Sequence, residues 1–170
     1  SAGPDLYEVD PGHSSVFFKV KHFDVSNFYG RFNEVSGQIQ YAEEKPAESS
    51  VKITIPVASI DTNSKGRDEH LLGPDYFDVE NHKEWIFEST EVMGSDKGWQ
   101  VKGNLTLRDV TREITLDLEK VGMGDTRFGP RAGWETTFTI DRNDYGISGN
   151  AGLLGDEVTI TVSLEAIKKS

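Results

Sequence analysis

Between His13 and His22 the chain reads HSSVFFKVKH, and its alternation narrows the local fold sharply. Val16, Phe18, Val20 and His22 fall on one face, and Phe17, Lys19 and Lys21 on the other. A period of two is that of a β-strand with one buried face; a helix would scatter the same residues around its axis. The pattern recurs. Val51, Ile53, Ile55 and Val57 alternate with Lys52, Thr54 and Pro56, and Ile114, Leu116 and Leu118 with Thr115, Asp117 and Glu119. Trp134, Thr136, Phe138 and Ile140 alternate with Glu135, Thr137 and Thr139, and Val158, Ile160, Val162 and Leu164 with Thr159, Thr161, Ser163 and Glu165. Half-apolar strands repeated at hairpin spacing can bury their faces by closing a barrel or by stacking two sheets.

A short strand is expected at Leu6 to Val9, stopped by the turn signal Asp10-Pro11-Gly12. Further antiparallel strands should start near His13, Gly30, Ser50, Glu84, Gln100, Glu113, Gly133 and Glu157. The run from Gly30 to Tyr41 reads as one long strand with a bulge or bend at Gly37. One helix is expected between Asn63 and Leu72. Asn63 or Ser64 is its N-cap, Asp68 and Glu69 favour the positive end of its dipole, and Gly73-Pro74 stops it. So short a helix suits a lid or plug. The acidic AEEKPAE segment reads as an exposed loop and the glycine-rich GMGDTRFGPRAG as a mobile one.

Composition limits the function. A chain of 170 residues fits one domain, large enough to bury a core or enclose a cavity. A net charge of -11 argues against binding nucleic acid or an anionic bilayer through a general basic patch. The absence of cysteine excludes disulfides and thiolate chemistry. No stretch has the length of a transmembrane helix, so an integral membrane protein is not expected. Residues 1–5 read as a processed terminus or a cloning remnant.

The motifs YEVDPGHSSVFFKVKH, YGRFNEVSG, HLLGPDYFDVENHKEWIFEST, GNLTLRDVTREITL, DRNDYGIS and GDEVTITVSLEA, in this order, resemble the YceI-like family of polyisoprenoid-binding proteins from Tyr7 to Ile167. The resemblance implies an all-β fold: an extended, eight-stranded, antiparallel, lipocalin-like β-barrel with one short helix at an end. It also implies a non-enzymatic function, the carriage of a long isoprenoid such as a polyprenyl phosphate or a quinone like ubiquinone. The bound lipid takes the place of a catalytic cofactor, the expected partner is a hydrophobic small molecule, and a homodimer is allowed. A periplasmic or secreted location goes with it. Lys83 departs from the family's usual proline, and Asp109 from its usual glycine; both fall at element ends.

On the residues alone, a filled core and a hollow one remain open, with periodicity favouring the filled core and the resemblance the hollow one. In the hollow case the tunnel lining is Val16, Phe18, Val20, Phe32, Ile53, Ile55, Phe77, Trp85, Phe87, Leu105, Leu107, Ile114, Leu116, Trp134, Phe138, Ile140, Val158, Ile160 and Val162. These faces carry almost no ionisable group, so a headgroup belongs at a mouth. His13, His22, Arg142 and Asp144 are the candidates there. Their plainer readings are histidines that satisfy backbone groups and an Arg142 paired with Asp141 and Asp144 in a turn. Asp68-Glu69-His70 is no metal set, because adjacent helical positions point apart. Neither GxSxG nor HExxH occurs, which leaves catalysis little footing. The alternative is a carbohydrate-binding β-sandwich stacking sugars on Trp85, Trp99 or Trp134. Trp85 and Trp134 share phase with apolar faces, so only Trp99, beside a turn, is free to be exposed.

Overall fold

A computed structural model describes residues 3–169. Ser1 and Ala2, part of the expected processed terminus, lie outside that range, whereas Asp5 already belongs to the first strand. The strand segments are β1 (Asp5–Val9), β2 (Ser15–His22), β3 (Ser26–Phe32), β4 (Ser36–Tyr41), β5 (Ser50–Pro56) and β6 (Ile60–Asp61), followed by the helix α1 (Lys65–Leu71). Then come β7 (Glu84–Ser95), β8 (Gly98–Leu107), β9 (Val110–Thr126), β10 (Gly129–Asp141) and β11 (Leu154–Lys168). Pairing runs β1-β4-β5-β7-β8-β9-β10-β11, all antiparallel, and β11 returns to β1. Closure removes the open edges that two stacked sheets would leave.

The ring has eight staves, three of them jointed. β2 prolongs β1 beyond a 3-10 turn at Pro11–His13, β3 leads into β4 across residues 33–35, and β6 prolongs β5 beyond a 3-10 turn at Val57–Ser59. At this second level β11 pairs with β2, β2 with β3, and β3 with β6. No pairing joins β6 to β7 among the described residues. The chain fills that gap itself, with α1 and the segment carrying Tyr76 and Phe77. The helix therefore sits at one end, as expected. Ser64 is its N-cap, accepting from the Arg67 N–H at 3.3 Å, and Asp68 Oδ1 accepts from the Thr62 N–H at 2.8 Å.

Inside and outside follow the alternation. Opposite one another on β10 and β11, Trp134 faces Leu164 and Phe138 faces Ile160. On the outer surface between them, Thr137 and Thr161 share a hydroxyl hydrogen bond of 3.0 Å, as do Thr139 and Thr159.

Three expectations need correction. The run from Gly30 to Tyr41 is two strands with a joint between them, and the first begins at Ser26. Val57 does not continue β5, because Pro56 lacks the N–H that a ladder needs and the chain turns there. The segment GMGDTRFGPRAG is a hairpin: β9 continues to Thr126 and β10 restarts at Gly129, held by pairs such as Arg131 with Gly124. Thr126 closes its turn, its hydroxyl accepting from the Phe128 N–H at 3.0 Å and donating to Gly129 O at 2.8 Å. Arg108 and Asp109 both hold left-handed φ angles, 51° and 61°, a turn conformation that favours glycine. That is the physical reason for a glycine at 109 elsewhere in the resemblance.

Candidate ligand-binding interior

Two apolar cavities lie along the barrel axis. The outer one, about 210 Å³, opens towards the helix end. Phe18, Val20, Phe77, Trp85, Leu107, Ile140 and Val158, all expected as lining, border it. The inner one is about 50 Å³ and is bordered by the expected residues Ile53, Ile55, Phe87, Leu105, Leu116, Phe138, Ile160 and Val162. Trp85 borders both, so its indole stands between them. The apolar interior is thus an outer and an inner chamber that meet at Trp85, not a tube of even width.

Beyond the inner cavity the barrel is shut by aromatic rings. Trp99 and Trp134 stack with centroids 6.1 Å apart, Tyr41 lies 5.5 Å from Trp99, and Tyr7 meets Trp134 edge-on at 5.7 Å. The Lys120 ammonium caps this floor, donating to the Tyr41 hydroxyl at 2.9 Å. Trp134 is therefore a floor residue. Val16 and Phe32 are buried in the packed wall and Ile114 packs partly buried against the core, so these three border neither cavity.

Trp99 is the clearest correction. Only 4% of it is exposed, and Trp85 and Trp134 are as deeply buried. No tryptophan offers a sugar a face, and the carbohydrate reading loses the feature it needed. Trp99 stands beside a turn, but its ring points inward to the floor.

The mouth divides the four headgroup candidates. His22 and Arg142 border the outer cavity; His13 and Asp144 do not. His13 lies by the joint between β1 and β2, its Nδ1 2.8 Å from Asp10 Oδ2. Asp10, His13 and Glu165 could face one cation, but the Arg131 guanidinium already holds both carboxylates at 2.8 and 2.7 Å. Asp144 is exposed.

Arg142 is not the exposed turn ion pair its sequence neighbours suggest. It is 4% exposed, and no carboxylate lies within 4.0 Å of it among the described residues. Its Nε donates to Gly155 O at 2.9 Å, its Nη1 to Ile147 O and Gly149 O at 2.9 and 2.8 Å, and its Nη2 to Leu154 O at 3.2 Å. Of the five N–H groups of a guanidinium, these bonds leave one on Nη2 unassigned. Arg142 therefore braces the loop of residues 147–155 and leaves a net positive charge at the cavity wall.

Sequence reasoning missed Ser26, Phe28, Arg67, Leu71, Tyr76, Ile147 and Leu154 around the outer cavity. Ser26 and Phe28 were within reach, since they share phase with Gly30 and Phe32 once β3 starts at Ser26. The other five lie on the helix, in loops or at a strand end, where no two-residue period exists to give them away. Arg67 stacks over the Phe28 ring at 4.6 Å while its Nε donates to the Thr62 hydroxyl at 2.8 Å. Burial pushes the Tyr76 phenol above its ordinary pKa, so it stays neutral, and the Asn150 amide donates to it.

Residues 7–166, which include nearly all of this barrel, match the YceI-like domain. The chain belongs to the YceI-like family. Among YceI-like relatives, the UPF0312 protein of Serratia proteamaculans is 37% identical over 174 residues, covering 99% of this chain and 91% of its own. The crystal structure of Burkholderia cenocepacia BcnA shares the fold with a TM-score of 0.83 at 24% identity, over 92% of this chain and 98% of its own. A polyisoprenoid binding domain from Saccharophagus degradans, implicated in plant cell wall breakdown, shares it with a TM-score of 0.73 at 17% identity, over 96% and 98%.

Proposed function

We propose that this YceI-like barrel binds and carries a long-chain polyisoprenoid without catalysing its conversion. The observation that carries the reading is the blind apolar interior: two cavities in line, closed by aromatic rings at one end and open beside polar groups at the other. A slender branched hydrocarbon tail suits such a space, and burying each CH₂ of it is worth roughly 0.8 kcal/mol. The tail enters first and the headgroup stays by His22, Arg67 and Arg142. An isoprenoid quinone and a polyprenyl phosphate both fit that description. The uncompensated Arg142 favours the acidic headgroup, because a buried charge gains most from a partner of opposite sign. The shared fold of the Saccharophagus degradans domain supports the ligand class. The reading carries with it an exported location, periplasmic or secreted, which fractionation of cells making the full-length gene product tests.

The binding test is a titration of delipidated protein with isoprenoids of graded tail length, beside soluble xylan and cellulose oligomers. Affinity should rise about tenfold or more per added isoprene unit, then level off once both cavities are full. Affinity indifferent to tail length, or binding of the oligosaccharides, would overturn the reading.

A further inference from the structure

The hairpin of β2 and β3 that borders the mouth carries a surface its own fold does not require. Its turn is Phe23-Asp24-Val25, closed by a hydrogen bond of 3.0 Å from the Val25 N–H to His22 O. Phe23 and Asp24 take φ angles of 54° and 56°. Glycine or asparagine adopts that left-handed region easily, whereas a phenylalanine there is strained. Packing explains little of the choice: the Phe23 ring meets the His22 imidazole edge-on at 4.4 Å, yet Phe23 is 61% exposed and Val25 83%. Along the outer face the exposed Phe17 and Tyr29 continue the apolar surface.

Cations flank it. Lys19 stands opposite Tyr29, Lys21 opposite Asn27, and Arg31 opposite Phe17. Among the described residues none of the three has a carboxylate within 4.0 Å. The hairpin's one acid is Asp24. On the flanking strands the nearest acids are Asp61, set opposite Arg31, and Asp156 and Glu157, of which Asp156 already accepts from the Asn143 amide at 2.8 Å. A local cationic, aromatic face thus stands on a chain of net charge -11. Its base is the doorway: His22, Ser26 and Phe28 of this hairpin border the outer cavity.

We propose that the Phe23–Val25 turn and the Lys19, Lys21 and Arg31 face dock on an anionic phospholipid bilayer, seating the cavity mouth at the membrane surface. The link to the mouth rests on the lipid-carrier reading; the charge and exposure of the face do not. Phe23 and Val25 enter the interfacial layer, Tyr29 lies at headgroup depth, and the three cations meet lipid phosphates. Because screening confines that attraction to about a Debye length, the negative remainder of the molecule does not cancel it.

Co-sedimentation with vesicles tests the surface. The protein should sediment with vesicles holding roughly 30% phosphatidylglycerol. With pure phosphatidylcholine, or at about 0.5 M NaCl, the sedimented fraction should fall about tenfold. The double variant Phe23→Asn, Val25→Ser puts an asparagine where the backbone favours one, so its Tm should hold or rise while vesicle binding falls about tenfold. Lys19→Ala with Lys21→Ala should lose the salt dependence. Both variants should bind isoprenoid as the parent does, which also certifies their fold. A parent that ignores the anionic vesicles, or variants that sediment as well as it does, would overturn the docking surface and leave the lipid-carrier reading intact. A self-association abolished by the same substitutions, without vesicle binding, would also overturn it, in favour of a second copy as the occupant. Vesicle binding by a parent that takes up no isoprenoid would overturn the carrier reading and leave this surface standing.

Discussion

Thr136 sits on the inner face of β10 with 5% of its surface exposed, and its hydroxyl finds no hydrogen-bond partner among the described residues. A buried, unpaired hydroxyl costs about 1–3 kcal/mol. Thr136→Val keeps the shape and removes the orphan, so urea unfolding should show a gain of about 1 kcal/mol with no loss of tail binding. On the outer side, His13 and Asp10 give stability a pH window. The bond from His13, and then that from Arg131, holds the Asp10 carboxyl down to about 2, and the bond to Asp10 raises the His13 imidazole above 6.5. A depressed carboxyl contributes stability that is present above its unfolded value of 3.8 and is lost as pH falls towards 2. A raised histidine contributes stability that is present below 6.5 and is lost as pH rises through its folded value. The clasp is therefore fullest between the two unfolded values. Tm should be higher at about pH 5 than at about pH 8, and His13→Gln should shrink that difference.

Among the elements, two glycines make room for rings. A Cβ at Gly30 would strike the Phe18 ring, and one at Gly103 the Phe87 ring; Phe18 borders the outer cavity and Phe87 the inner. Gly103→Ala should cost about 1–3 kcal/mol in thermal or urea unfolding, because Phe87 must leave its place against β8. Strands whose two faces differ were legible one by one, since alternation is a local property. The joints were not. Whether residues 33–35 interrupt a strand depends on which neighbours each half pairs with, and nothing in NFYGRF or GQIQY records that. The tip of the β9–β10 hairpin failed for the same reason. Gly122, Gly124 and Gly129 read as a loop until the two arms pair with each other, Gly122 opposite Gly133, Gly124 opposite Arg131 and Gly129 opposite Thr126. β6, two residues long, is too short to hold any period.

For the whole molecule, the interior was legible as a set of faces but not as a sequence of compartments. Phase assigns Trp85, Trp134 and Phe138 to the same inside, yet one divides the space, one floors it and one lines it. Arg142 shows the converse: its sequence neighbours suggest a surface turn, and only the loop carbonyls folded around it bring the charge in. The aromatic floor of Trp99, Trp134, Tyr41 and Tyr7 has a kinetic consequence. A tube with a single doorway cannot be flushed from behind, so an incoming guest cannot push the resident out and must wait for it to leave. Exchange of a labelled isoprenoid for an unlabelled one should then proceed at one rate however concentrated the newcomer is, as stopped-flow displacement would show. The residence time belongs to the departing molecule alone.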